Sequence, residues 1–135
     1  MYTKLVITIT LITLSIQSQA ITSDLKKDYD DFRKDYQTVL NLPENKKEFL
    51  KKFKKLEQDL NTKYEKFGQK EGELISPESN QMALDIEMLE PLKIIAEGEA
   101  NKESCSNAAF TNELNNTSDN QTYQKIKKQI NKLCK

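Results

Sequence analysis

The sequence predicts an all-α protein: a small four- to five-helix bundle with a kinked third helix, preceded by a cleaved signal peptide. Three observations carry this expectation. Apolar residues recur at intervals of three and four through four separate segments. Helix-start and helix-stop residues fall between those segments. Beyond the first twenty residues no useful stretch alternates apolar and polar side chains, and there is no Asn-Gly or Asp-Gly hairpin turn.

Residues 1–20 read as an export signal. One lysine, Lys4, precedes an apolar run from Leu5 to Ile16, and small residues at Ser18 and Ala20 suit a signal peptidase. The run is too short for comfortable spanning of a bilayer, which takes roughly 20 apolar residues. Cleavage after Ala20 leaves residues 21–135 as a single helical domain starting at Ile21.

The first mature helix is expected from Ser23, its N-cap, to about Leu40, with Leu25, Tyr29, Phe32, Tyr36 and Val39 on one stripe. Leu42-Pro43 ends it, and Pro43 suits the opening of the next. The second is expected from about Glu44 to Lys70, striped by Phe49, Phe53, Leu56, Leu60, Tyr64 and Phe67. Ser76-Pro77-Glu78 starts the third. Its apolar residues, from Met82 to Ile95, cover more than one face, which predicts a central helix. Pro91 predicts a kink in it, and Gly98 ends it. Ala108, Ala109, Phe110 and Leu114 suggest a short helix after Cys105. Ser118 and Gln121 suggest a capping box for a last helix carrying Tyr123, Ile126, Ile130 and Leu133.

Loss of Lys4 leaves 20 basic against 21 acidic side chains, a net charge of −1. That is not the balance of a nucleic-acid binder. The charge is blocked along the chain. Nine lysines face four acids between Lys46 and Lys70, nine acids face two lysines between Glu71 and Glu103, and the segment from Ser104 to the end is basic by three. Solvated helix faces account for such blocks, and a basic face for anionic lipid or glycan is the functional reading. Glu48, Glu57, Asp59 and Glu65 weaken any membrane-surface role for the Lys46–Lys70 segment.

Two cysteines in an exported chain predict one intrachain disulfide, Cys105–Cys134. Asn115, Asn116 and Asn120 each head an N-glycosylation triplet within one expected loop. Asn115 and Asn116 are adjacent and compete for a single glycan.

Most chemistry is removed by what the chain lacks. It has no histidine, hence neither a Ser-His-Asp nor a Cys-His arrangement. Two cysteines do not make a four-thiolate zinc site. There is no glycine-rich phosphate loop and no calcium-loop pattern. The clustered acids Asp85, Glu87, Glu90, Glu97 and Glu99 show no sign of a paired catalytic arrangement. No enzyme activity, cofactor or metal is expected.

The leading expectation is a secreted, non-enzymatic helical protein, monomeric, without stable membrane insertion after cleavage. It acts through contacts with an extracellular protein partner. The alternative is a carrier of a small apolar or lipid-like ligand, with Phe32, Tyr36, Phe53, Tyr64, Met82 and Met88 lining a cavity between helices.

Overall fold

The computed structural model describes residues 21–42, 45–116 and 119–135. The expected signal peptide lies outside these residues, as do Pro43 and Ser118, the expected helix-start residues of the second and last helices. Of the described residues 82% are helical, and none forms a strand. The helices are α1 (Ser23–Leu40), α2 (Lys46–Glu71), α3 (Pro77–Met88), α4 (Glu90–Glu97), α5 (Lys102–Leu114) and α6 (Asn120–Leu133). Segments α3 and α4 are two halves of one helix bent by 39°, so the described chain forms a five-helix bundle. The bend falls where Pro91 cannot donate a backbone hydrogen bond. Leu89 separates the halves, and Pro91 enters α4 within its first two positions.

Capping side chains set the helix starts, and they revise several expected boundaries. Thr22, not Ser23, caps α1, its hydroxyl accepting from the Leu25 N–H at 3.3 Å. Asn45 caps α2 by accepting from the Glu48 N–H at 3.3 Å, which moves the start from Glu44 to Lys46. Ser76 caps α3 as expected, accepting from the Ser79 N–H at 3.1 Å. Asn101 caps α5 through the Ser104 N–H at 2.7 Å. Asp119 caps α6 through the N–H groups of Gln121 and Thr122. Each cap satisfies donors that a helix start leaves without an internal partner. Helix α2 runs through Gly68 and stops at Gly72, whose φ of +75° is a conformation glycine adopts without strain.

The predicted stripes converge on one core. It holds Phe32, Tyr36 and Val39 from α1, Phe49, Phe53, Leu60 and Phe67 from α2, and Met82 from α3. Leu92 and Ile95 of α4, Ala108 of α5 and Ile126, Ile130 and Leu133 of α6 complete it. The Phe49 and Phe53 rings stack with centroids 5.3 Å apart. Each fully buried large apolar side chain contributes about 1.5–3 kcal/mol. The kinked helix is central, as its two-sided apolar pattern predicts: α3 packs on α1 and α2, and α4 on α2, α5 and α6.

The most extensive packing joins α4 to α5. The connection between them is tight. Glu99 and Ala100 both adopt positive φ, 51° and 54°, and the Ala100 N–H closes α4 by donating to the Ile95 carbonyl at 2.9 Å. Gly98 lies against Ser104 so closely that any Cβ there would collide with the serine.

Candidate functional site

Of the six side chains expected to line a ligand cavity, five lie in or against the common core and the sixth, Met88, borders an open groove. Phe32, Tyr36, Phe53 and Met82 are at most 1% exposed and belong to the common core. Tyr64 packs partly buried against that core. Phe53 also reaches the base of an open groove shared with Leu50, Lys54, Glu57 and Lys93. Met88 borders a different groove, with Tyr29, Arg33, Gln81, Leu84, Asp85 and Asp119.

Three groups lining the second groove, Arg33, Asp85 and Asp119, depart from their ordinary titration. Asp85 on α3 is buried, accepts from Arg33 Nη1 of α1, and accepts from Gln81 Nε2 at 2.8 Å. Burial pushes its carboxyl above the ordinary value, against the opposing pull of Arg33 and Gln81. Burial also acts against the Arg33 charge, but the hydrogen bond and charge of Asp85 outweigh it and hold the guanidinium up. Burial raises the Tyr36 hydroxyl as well. Asp119 moves the other way, lowered first by the Thr122 hydroxyl and then by the backbone N–H groups it caps. Each oxygen of Asp85 accepts from a partner within the fold, and the cluster ties α1 to α3. Among the described residues no group of three or more acidic or cysteine side chains is placed to hold a metal ion.

Cys105 of α5 and Cys134, just past α6, are brought together with Cα atoms 5.9 Å apart, in a geometry capable of a disulfide. The three candidate glycan acceptors are not equivalent. The Asn115 side-chain nitrogen, the atom that would carry a sugar, is buried without a partner. Asn116 is exposed in the turn after α5, and Asn120 is exposed at the first position of α6.

No family model, curated protein or solved structure matches this chain.

Helix α5 presents an unusual surface. The residues it buries are Ser104, Ala108 and Asn112, four apart, all small or polar. This close-packed face lets α5 approach α4, and it turns the helix's large apolar side chains outward. Phe110 is 68% exposed and Leu114 65% exposed, one turn apart on the same side. A single exposed apolar residue needs no explanation, but a paired ridge on a helix that buries polar groups does. A helix carrying Phe110 and Leu114 is expected from the sequence, but its inverted face is not. The signal was available in the Ser104-Ala108-Asn112 spacing, which marks the inward side by size rather than by hydropathy. The neighbouring exposed residues are Glu103, Ser106 and Asn107, acidic to neutral.

A second feature lies where the end of α1 meets α6. Leu40, Asn41, Leu42, Lys125, Lys128, Gln129 and Lys132 line an open groove of about 280 Å³. Gln129 Nε2 donates to the Val39 carbonyl at 3.1 Å, one of the last carbonyls of α1, which have no partner four residues on within the helix. Among the described helices, none is long and apolar enough to cross a membrane.

Proposed function

We propose that this is a secreted, non-enzymatic helical protein that acts through extracellular protein–protein contacts, with the Phe110–Leu114 ridge of α5 as the contact surface. The observation that carries the reading is the inverted face of α5, which turns Ser104, Ala108 and Asn112 inward and holds two large apolar side chains in water. The pairing of Cys105 with Cys134 anchors α5 to the end of α6 and gives the ridge a rigid base. The partner offers an apolar recess with a basic border, complementary to Phe110, Leu114 and the acidic Glu103. Secretion is supported by the export pattern of residues 1–20 and by the cysteine pair. Asn116 and Asn120 are the glycan positions this fold favours, since both are exposed while the Asn115 nitrogen is buried.

The test compares the mature protein with the double variant Phe110→Ser/Leu114→Ser in capture from extracellular fluid. Both positions are exposed, so the variant keeps its melting temperature and helical signal. The expected result is a specific protein held at micromolar concentration by the parent chain and released by the variant. Capture that survives the double substitution, or no capture at all, would overturn the reading.

A further inference from the structure

We infer that the connection between α2 and α3 is an inhibitory loop, which docks in the cleft of an extracellular serine protease and seats Leu74 in an apolar primary pocket. The loop shares no residue with the α5 ridge, and the inference is independent of the contact role given to that ridge.

Three observations converge on this partner. The first is the apolar tip. Leu74 is 67% exposed and Ile75 76%, side by side between two helices. Adjacent large aliphatic side chains in water mark a contact surface more strongly than scattered single ones. Glu73 beside them is exposed and forms no ion pair among the described residues. The nearest lysine in the chain, Lys70, is committed to Asp24 and Asp28. An apolar tip with an acidic margin is complemented by an apolar pocket with a basic rim.

The second observation is the backbone. Among the described residues, no backbone N–H or carbonyl of Glu73, Leu74 or Ile75 is hydrogen-bonded. Ser76, which follows them, is extended, with φ −88° and ψ 160°. Free backbone groups are costly in hydrocarbon, so the tip is poorly suited to enter a lipid bilayer. They suit a partner that pairs with an extended segment and takes its side chains in pockets. Three free residues make a short strand for addition to a sheet edge, where strands commonly run to about five or six residues. A protease cleft needs only a few residues around one specificity pocket. Leu74 fits such a pocket better than Ile75, whose branched Cβ is stiff at χ1.

The third observation is the clamp beneath the tip. Glu71 ends α2, and its Oε1 accepts from the Ser76 N–H at 3.0 Å and from the buried Ser79 hydroxyl at 3.0 Å. Its Oε2 accepts from the Ser76 hydroxyl. On the other side the Gly72 N–H donates to the Gly68 carbonyl at 3.0 Å. Both ends of the loop are fixed, so binding orders little that is not ordered already. The clamp also spans the Leu74–Ile75 peptide bond. A cut there leaves both new ends tied through Glu71, which sets an inhibitor apart from a substrate that departs once cleaved.

The experiment titrates the full mature protein into chymotrypsin, whose primary pocket is apolar, and into trypsin, whose pocket holds an acid. A small chromogenic substrate reports residual activity, and mass measurement reports cleavage of the loop. The parent is expected to inhibit chymotrypsin at micromolar concentration or below and to leave trypsin active. Leu74→Ser removes the side chain from an exposed position, so the fold is kept, and inhibition should weaken about thirtyfold. Leu74→Lys should transfer inhibition to trypsin. Phe110→Ser/Leu114→Ser should inhibit like the parent, which separates this loop from the ridge. Glu71→Gln weakens the clamp, so this variant should be cut after Leu74 and lose inhibition with time. No inhibition by the parent, equal inhibition by Leu74→Ser, equal inhibition of trypsin by the parent, or turnover of the parent as an ordinary substrate would each overturn the inference.

Discussion

Arg33 of α1 donates to the buried carboxylate of Asp85 on α3, while Gln81 holds the other carboxylate oxygen at 2.8 Å. The pair is uneven: the Asp85 side chain is 5% exposed and that of Arg33 34%. Replacing one partner leaves a buried charge without its counter-ion. Arg33→Met is expected to cost about 2–4 kcal/mol, the lower part of that range reflecting the solvent around the guanidinium. The double variant Arg33→Met/Asp85→Leu removes the charge altogether and should recover most of the loss. Urea unfolding of the parent, both single variants and the double variant closes the cycle. A double variant as unstable as the singles would show that the pair itself stabilises the fold.

The α4–α5 turn separates two effects of backbone and space. Gly98 has an ordinary φ of −89°, so its constraint is the wall of Ser104 and not its conformation. Gly98→Ala should therefore cost about 1–3 kcal/mol through overpacking. Adding Ser104→Gly removes the obstructing Cβ, and part of that cost should return. Glu99 poses the opposite case, with a strained φ of 51° and an exposed side chain. Glu99→Gly should stabilise the protein by about 1 kcal/mol. Thermal melts of the three variants read both effects, and a destabilised Glu99→Gly would refute the assignment of strain to that residue.

The cysteine pair makes a third prediction. Cys105 and Cys134 are 29 positions apart, and a bond between them restricts the unfolded chain. Cys105→Ser/Cys134→Ser should lower stability by about 3–4 kcal/mol. The parent in reducing buffer should fall to the same level. Mass measurement before and after reduction should show the two hydrogens that a disulfide lacks. A melting temperature insensitive to reductant would mean that the bundle gains nothing from the link.

Much of this fold was legible because its signals were local. The stripes Leu25-Phe32-Tyr36-Val39 and Phe49-Phe53-Leu60-Phe67 repeat at helical spacing, and the structure buries both. Ser76-Pro77 marks a helix start, and Pro91 marks the bend. Boundaries slipped by one or two residues where two adjacent residues could both cap, as with Thr22 and Ser23. The α5 face was not legible from hydropathy. Its inward side is chosen by size, because only small residues allow α5 to lie against α4, and a hydropathy stripe would have turned Phe110 inward. The groove at Gln129 was hidden for another reason. It joins the end of α1 to α6, two segments 90 residues apart, and no periodicity within either one encodes that meeting.

Asp119 and Asp85 predict opposite contributions to stability as pH changes. Asp119 caps α6 with a carboxylate lowered below its ordinary value of 3.8 by Thr122 and the first backbone N–H groups of the helix. Its contribution is present above that ordinary value and is lost as pH falls through the folded value. Asp85 is raised, so its contribution is present below 3.8 and is lost as pH rises through the folded value. Asp119→Ala should cost about 1 kcal/mol at neutral pH, and the gap from the parent should narrow on acidification. Asp119→Asn keeps an acceptor oxygen without the charge, so it should retain much of the cap and show a flatter pH response. Urea midpoints for the three proteins at neutral pH and below the ordinary carboxylate range decide the matter. A gap between parent and Asp119→Ala that stays constant across that range would show that the neutral carboxyl caps α6 as well as the carboxylate does.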